Sequence, residues 1–137
     1  MPPTKLNILF IADIVGDGGK KAVDASLEDL TGEYSINLVI ANGENRSSGK
    51  GLKPKEARAL FERGVHVITS GNHIWAKKKI ISELNRSQYL LRPANYPNMV
   101  PGHGSCIYNL YQNMSIGVLN LLGRSFLYPI ECPFRVA

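Results

Sequence analysis

Three short apolar runs recur along the chain, and each is closed by residues able to bind a metal or move a proton. "KLNILFIAD" ends at Asp13, "NLVIANGEN" at Glu44 and Asn45, and "VHVITSGNH" at Asn72 and His73. Short runs that are apolar on both faces and bounded by turns read as buried strands of a parallel sheet. The segments between them read as helices. After the Gly-rich turn "GDGG", the residues Ala22, Val23, Ala25, Leu27 and Leu30 fall at mostly helical spacing between Lys20 and Leu30. A Ser/Gly loop then leads to a helix with Pro54 near its first turn and Gly64 at its end. "KKKIISELN" supplies a third, short helix. The order β-α-β-α-β-α predicts an α/β fold with a mainly parallel sheet, because each right-handed crossover covers a sheet face and returns the chain to the same end of the sheet.

The texture changes after Arg92. "RPANYPNMVPGHGS" is a Pro/Gly loop, and "CIYNLYQNMSIGVLNL" reads as two strands joined near Gln112-Asn113, a β-hairpin. The tail "GRSFLYPIECPFRVA" suggests no element. No internal repeat, low-complexity tract or linker interrupts the 137 residues, a length that fits one domain with a real core.

Composition narrows the function classes only modestly. With 44% hydrophobic and 20% charged residues the chain is ordinary for a globular protein, not a disordered one. The formal charge of +5 attracts polyanions, but the basic residues are scattered and the densest run is Lys77–Lys79. A solvated helix start explains that run as well as a nucleic-acid patch does. Cys106 and Cys132 form no CxxC and no metal-ligand pattern, and so read as free thiols of a reducing compartment. The apolar run from Leu6 to Ala12 is too short to span a membrane. The expectation is a cytoplasmic protein without a membrane partner.

In an open α/β sheet, ligands bind beyond the carboxyl ends of the strands, where the βα turns gather. Neighbouring strands lie about 4.8 Å apart, so Asp13, Glu44, Asn45, Asn72 and His73 are able to converge on one small volume. A carboxylate can bridge two cations, and two metals about 3.5–4 Å apart form a clamp for phosphoryl chemistry. Asparagine ligates through a neutral oxygen, and histidine donates a proton near neutral pH. Each residue also has a plain reading. Asp13 and Asn45 organise turns, Glu44 is a solvated loop residue, and His73 caps a helix or satisfies a carbonyl. What favours the functional reading is the coincidence at three successive strand ends. His66 and His103 read as structural. "GDGGK" and "GKG" match neither a P-loop nor a dinucleotide fingerprint.

Taken as a set, "ILFIADIVGDGG", "VIANGENRSSGKGL", "ITSGNHIWAKK", "LLRPANYP" and "VLNLLGRSFLYPIECPF" resemble the N-terminal part of the YmdB-type metallophosphoesterases, in order and through nearly the whole chain. The resemblance implies the first half of a calcineurin-like α/β sandwich. It also implies a centre of two divalent ions, commonly iron or manganese, acting on phosphodiesters such as 2′,3′-cyclic nucleotides. Asp13 and Asn45 would ligate the first metal, Glu44 would bridge both, Asn72 would bind the second, and His73 would protonate the leaving oxygen. An RNA-related substrate is also open.

The family has three further histidine ligands in segments that follow a "DPF"-like motif. Here "ECPF" stands at Glu131–Phe134, three residues before Ala137, while His66 and His103 occupy no matching place. The expectation is a single, truncated domain whose second metal keeps only Glu44 and Asn72. Its uncovered sheet face would call for another copy of the chain or a complementary chain. The competing reading is a truncated, catalytically inactive homologue that serves as a structural or binding module and oligomerises.

Overall fold

The computed structural model describes residues 5–111 and 113–137. Strand β1 spans Ile8–Ile11, helix α1 Gly16–Glu33, β2 Leu38–Asn42, α2 Pro54–Glu62 and β3 Val67–Thr69. A 3-10 helix, Asn72–Ala76, leads to α3 at Ile80–Arg86. The hairpin strands β4 and β5 cover Ser105–Tyr111 and Met114–Leu119, and a one-turn α4 spans Pro133–Val136. The expected α/β order and parallel sheet are present. Asn113 lies in the hairpin turn, and Gln112 is outside the described residues.

The strands order as β1-β2-β3, all parallel, with Phe10 beside Ile40 and Ala41 beside Ile68. Single bridges extend the sheet, placing Leu90 beside Ile68 and His103 beside Leu91. Strands added in chain order by crossovers of one hand put every helix on the same face. The core reflects this. Val23 and Leu27 of α1, Ala57 and Leu60 of α2, and Ile80 and Leu84 of α3 form one cluster with Val39, Ala41 and Ile68 of the sheet. Each valine, leucine or isoleucine among them contributes about 1.5–3 kcal/mol when fully buried. Buried Glu83 adds a polar tie, accepting from Arg58 of α2 and Arg86 of α3, both at 2.8 Å.

The opposite face is less covered. On β1, Ile8 is 45% exposed and Phe10 57% exposed. Further along, Leu38 and Val67 are buried outside the helical cluster. Nearby, Tyr108 of β4 stacks edge-on against His66 and Tyr89. His66 also seals the sheet, because its ring Nδ1 accepts the Val39 N–H at 2.9 Å while its main-chain N–H donates to Val39 O. Cys106 and Cys132 are free thiols, and burial pushes the Cys106 thiol up. No described helix is long and apolar enough to cross a membrane.

Three elements differ from the sequence expectation. The "GDGG" stretch is the first turn of α1, which starts at Gly16 instead of Lys20. The first N–H groups of a helix need no intrahelical acceptor, so glycine costs little there. Gly19 also lets the helix close on Ile14, whose Cγ2 would lie 3.0 Å from any added Cβ. Between β3 and the third helix the chain forms a separate 3-10 helix, so that helix starts at Ile80, after the lysine run. The tail does form one turn, begun by Pro133 in a position that suits its fixed φ.

Candidate active site at the strand ends

The three turns that follow β1, β2 and β3 meet through side chains. After β1 the backbone reverses at Asp13, which has a positive φ of 37°, a conformation that aspartate tolerates better than most residues. Ile14 N–H then bonds Asn42 O at the end of β2, and Gly16 N–H bonds Asn45 O. These backbone bonds bring the first two turns together. Asn45 Nδ2 donates to Asp13 Oδ1 at 2.7 Å. The other end of the same amide, Oδ1, lies 2.6 Å from His73 Nδ1. An amide oxygen only accepts, so His73 carries a proton on Nδ1.

Glu44 is aimed by a different set of contacts. Its N–H bonds Asn42 Oδ1, and its carboxylate Oε2 accepts the His73 N–H at 3.1 Å. The carboxylate rests on Gly71, where an added Cβ would stand 2.5 Å from Oε2 and 2.7 Å from Oε1. The glycine is there for space, since its φ of −132° is open to any residue. Asn72 opens the 3-10 helix, partly exposed, and its side chain makes no hydrogen bond among the described residues. Asp13, Glu44, Asn45 and His73 are thus joined by hydrogen bonds, while Asn72 is their neighbour in the chain and unengaged.

One supporting residue, Arg46, carries no signal in the sequence. Arg46 is buried in the Ser/Gly loop, where its Nη1 donates to Gly16 O at 3.2 Å and lies 3.6 Å from Asp17. It ties the second turn to the start of α1. Gly51 holds the same loop against the 3-10 helix, since a Cβ there would meet Lys77 Cγ at 2.8 Å and His73 O at 3.4 Å. Only the burial of Arg46 marks it as structural, and burial is not visible in a polar loop sequence. A groove lined by Lys5, Leu9, Leu30 and Tyr34 lies at the amino end of β1 and takes no part in this cluster.

The donors suit a hard divalent ion. Two carboxylates and two amides provide oxygen ligands, the kind that manganese or magnesium prefers. Among the described residues no three His, Cys, Asp or Glu side chains gather, so a cation here must draw on the asparagines. Asp13 and Asn45 meet directly, and the Glu44 carboxylate is tied to them through His73. Asn45 presents its nitrogen to Asp13, so an ion shared by these two requires the amide to turn over.

Solved structures define the class first. The chain superposes with a TM-score of 0.87 on the crystal structure of a novel phosphatase from Mycoplasma pneumoniae, at 34% identity over 96% of this chain and 48% of that one. It superposes with a TM-score of 0.85 on a hypothetical protein from Thermus thermophilus, at 39% identity over 94% and 50% of the two chains. The fold is therefore phosphatase-like. Residues 9–137 match the family described as YmdB-like protein, and the chain belongs to that family. It is 40% identical over 132 residues to the 2′,3′-cyclic-nucleotide 2′-phosphodiesterase of Bacillus subtilis (strain 168), covering 96% of this chain and 50% of the relative. It is 34% identical to a Mycoplasma pneumoniae protein named as a phosphatase/phosphodiesterase, covering 96% and 48%. The chain spans about half the length of the curated relatives it matches.

Proposed function

We propose that this chain carries the amino-terminal part of a metal-dependent phosphodiesterase site, for substrates such as 2′,3′-cyclic nucleotides. The observation that carries this reading is the bonding of three strand-end turns through Asp13, Asn45, His73 and Glu44. A set of turn-forming residues would have no need to meet across three turns. The family membership and the named relatives support the same chemistry.

Asp13, Glu44 and Asn45 would hold one divalent ion, with Glu44 and Asn72 contributing to a second. Iron and manganese are the candidates. When bound, such ions neutralise the charge that builds on the phosphoryl oxygens during in-line displacement. The protein's own part is positional and acid–base. Glu44 and Asn45 fix the main chain and the ring of His73 at two points, which holds the imidazole still. A proton delivered to the departing alkoxide would leave from Nε2, which carries one once the Asn45 amide has turned its nitrogen toward Nδ1.

The same reading assigns the open side of the sheet to polypeptide equivalent to the unmatched half of the relatives, in cis or as a separate chain. Ile8 and Phe10 on the sheet, and Phe134 at 92% exposure in the tail, offer it an apolar seat. Such polypeptide is also where further metal ligands for the second ion would come from.

The test is metal content of the purified protein together with hydrolysis of bis-p-nitrophenyl phosphate and 2′,3′-cAMP with added Mn²⁺ or Fe²⁺. Stoichiometric metal, with turnover abolished by Asp13→Ala and by His73→Ala, is the expected result. Neither metal nor turnover, with or without the complementary polypeptide, would leave a non-catalytic binding module.

A further inference from the structure

Asn120 directly follows β5, fifty residues after Ser70 of the third turn, and is only 8% exposed. Its Nδ2 donates to Ser70 O at 2.7 Å and to Leu91 O at 3.2 Å. Ser70 Oγ donates to the same Leu91 O at 2.7 Å. The main chain of Asn120 is held as well, its N–H on Gly104 O and its carbonyl accepting from Ala94 N–H. One carboxamide thus binds the carboxyl end of β3 to the neighbouring strand-like segment. Ser70 directly precedes Gly71, Asn72 and His73. The oxygen that Asn120 holds belongs to the Ser70–Gly71 peptide, whose plane sets how the chain enters the 3-10 helix. Three residues on, the His73 N–H reaches the Glu44 carboxylate.

We infer that Asn120 is a positioning residue of the candidate site, through which the hairpin sets the place of the Gly71–Asn72–His73 turn. An amide is suited to this because a single NH₂ group supplies two donors, one for the Ser70 carbonyl and one for the Leu91 carbonyl that Ser70 Oγ also meets. The functional meaning of this role rests on the phosphodiesterase reading, but the contacts that define it do not. Asn95 offers an internal comparison. It is 0% exposed and makes three side-chain bonds, but these go to Leu122 and Glu131 of the tail, away from the turn.

Native-state hydrogen exchange followed by NMR separates positioning from general stability. In Asn120→Asp the two carbonyls face an acceptor instead of a donor. The His73 amide is then expected to exchange tenfold or more faster relative to the core amides of Leu27 and Leu60. In Asn95→Ala the His73 and core amides should speed up in the same proportion. Should Asn120→Asp not fold, Asn120→Ser keeps one donor and carries the same comparison with a smaller expected change, about threefold. Equal proportional change at His73 in the Asn120 and Asn95 variants would overturn the role. Loss of the phosphodiesterase reading through absent metal and turnover would leave this exchange result intact, so the two failures are distinguishable.

Discussion

Asn45 stands between Asp13 and His73, with its oxygen 2.6 Å from His73 Nδ1 and its nitrogen 2.7 Å from Asp13 Oδ1. The amide therefore reads two turns at once, and its orientation dictates which imidazole nitrogen carries the proton. A cation shared by Asp13 and Asn45 would draw the amide oxygen toward Asp13 and hand the NH₂ group to His73. The ring proton is then expected to move from Nδ1 to Nε2. Nitrogen-15 NMR of the His73 ring, with and without Mg²⁺, checks this. An unchanged Nδ1–H ring at saturating metal would contradict it.

Breaking the same link chemically should be costly. Asn45→Ala leaves Asp13 and the His73 ring without a common partner. Turnover of bis-p-nitrophenyl phosphate should fall by roughly 10²–10⁴-fold, the range expected when a general acid loses its place. His73→Ala should match it, and the double variant should fall little further, because the two residues act as a unit.

Gly71 should tolerate no side chain. In Gly71→Ala the new methyl would stand 2.5 Å from Glu44 Oε2, so the carboxylate must leave its seat or the turn must shift. Overpacking of this kind costs about 1–3 kcal/mol. Urea denaturation should show that loss, and Mn²⁺ titration should show weakened binding. A metal affinity equal to the parent would mean that Glu44 is not a ligand.

His66 should make the fold acid-sensitive. Burial holds its imidazole below the ordinary value of 6.5, and Nδ1 accepts a hydrogen bond from Val39 that protonation would destroy. Between the lowered native pKa and the unfolded one, the unfolded chain binds more protons, so stability rises with pH. The contribution is complete above about pH 6.5 and fades as pH falls through the native value. His66→Ala should flatten that part of the stability–pH curve. It should also cost about 1–3 kcal/mol at pH 7.5 by leaving the Val39 N–H without its partner.

The open sheet face should govern association. At micromolar concentration the chain by itself is expected to sediment as larger species, with Phe10→Ser shifting the distribution toward monomer. Added polypeptide equivalent to the unmatched half of the relatives should have the same effect by covering the face. A well-folded monomer at all concentrations would count against an apolar seat there, and stoichiometric self-pairing would identify a second copy as its occupant.

The amino-acid sequence by itself determined the rhythm of this protein and the kinds of side chain that stand at its strand ends. Apolar runs of strand length, helical spacing between them and polar residues at each boundary follow from local periodicity, which a linear chain displays openly. Asp13, Glu44, Asn45, Asn72 and His73 are legible as strand-end residues because parallel topology carries the carboxyl ends of all three strands to one end of the sheet. Tertiary structure decided how those residues are held. That Glu44 needs the empty space above Gly71, that Arg46 stitches a polar loop to α1, and that Asn120 clamps Ser70 from fifty residues away are contacts between distant segments. Buried hydrogen bonds of this kind leave no period in the sequence, since an asparagine or arginine in a polar stretch looks the same whether solvated or enclosed. Only packing distinguishes them, because removal from water is what makes each unpaired donor and acceptor costly.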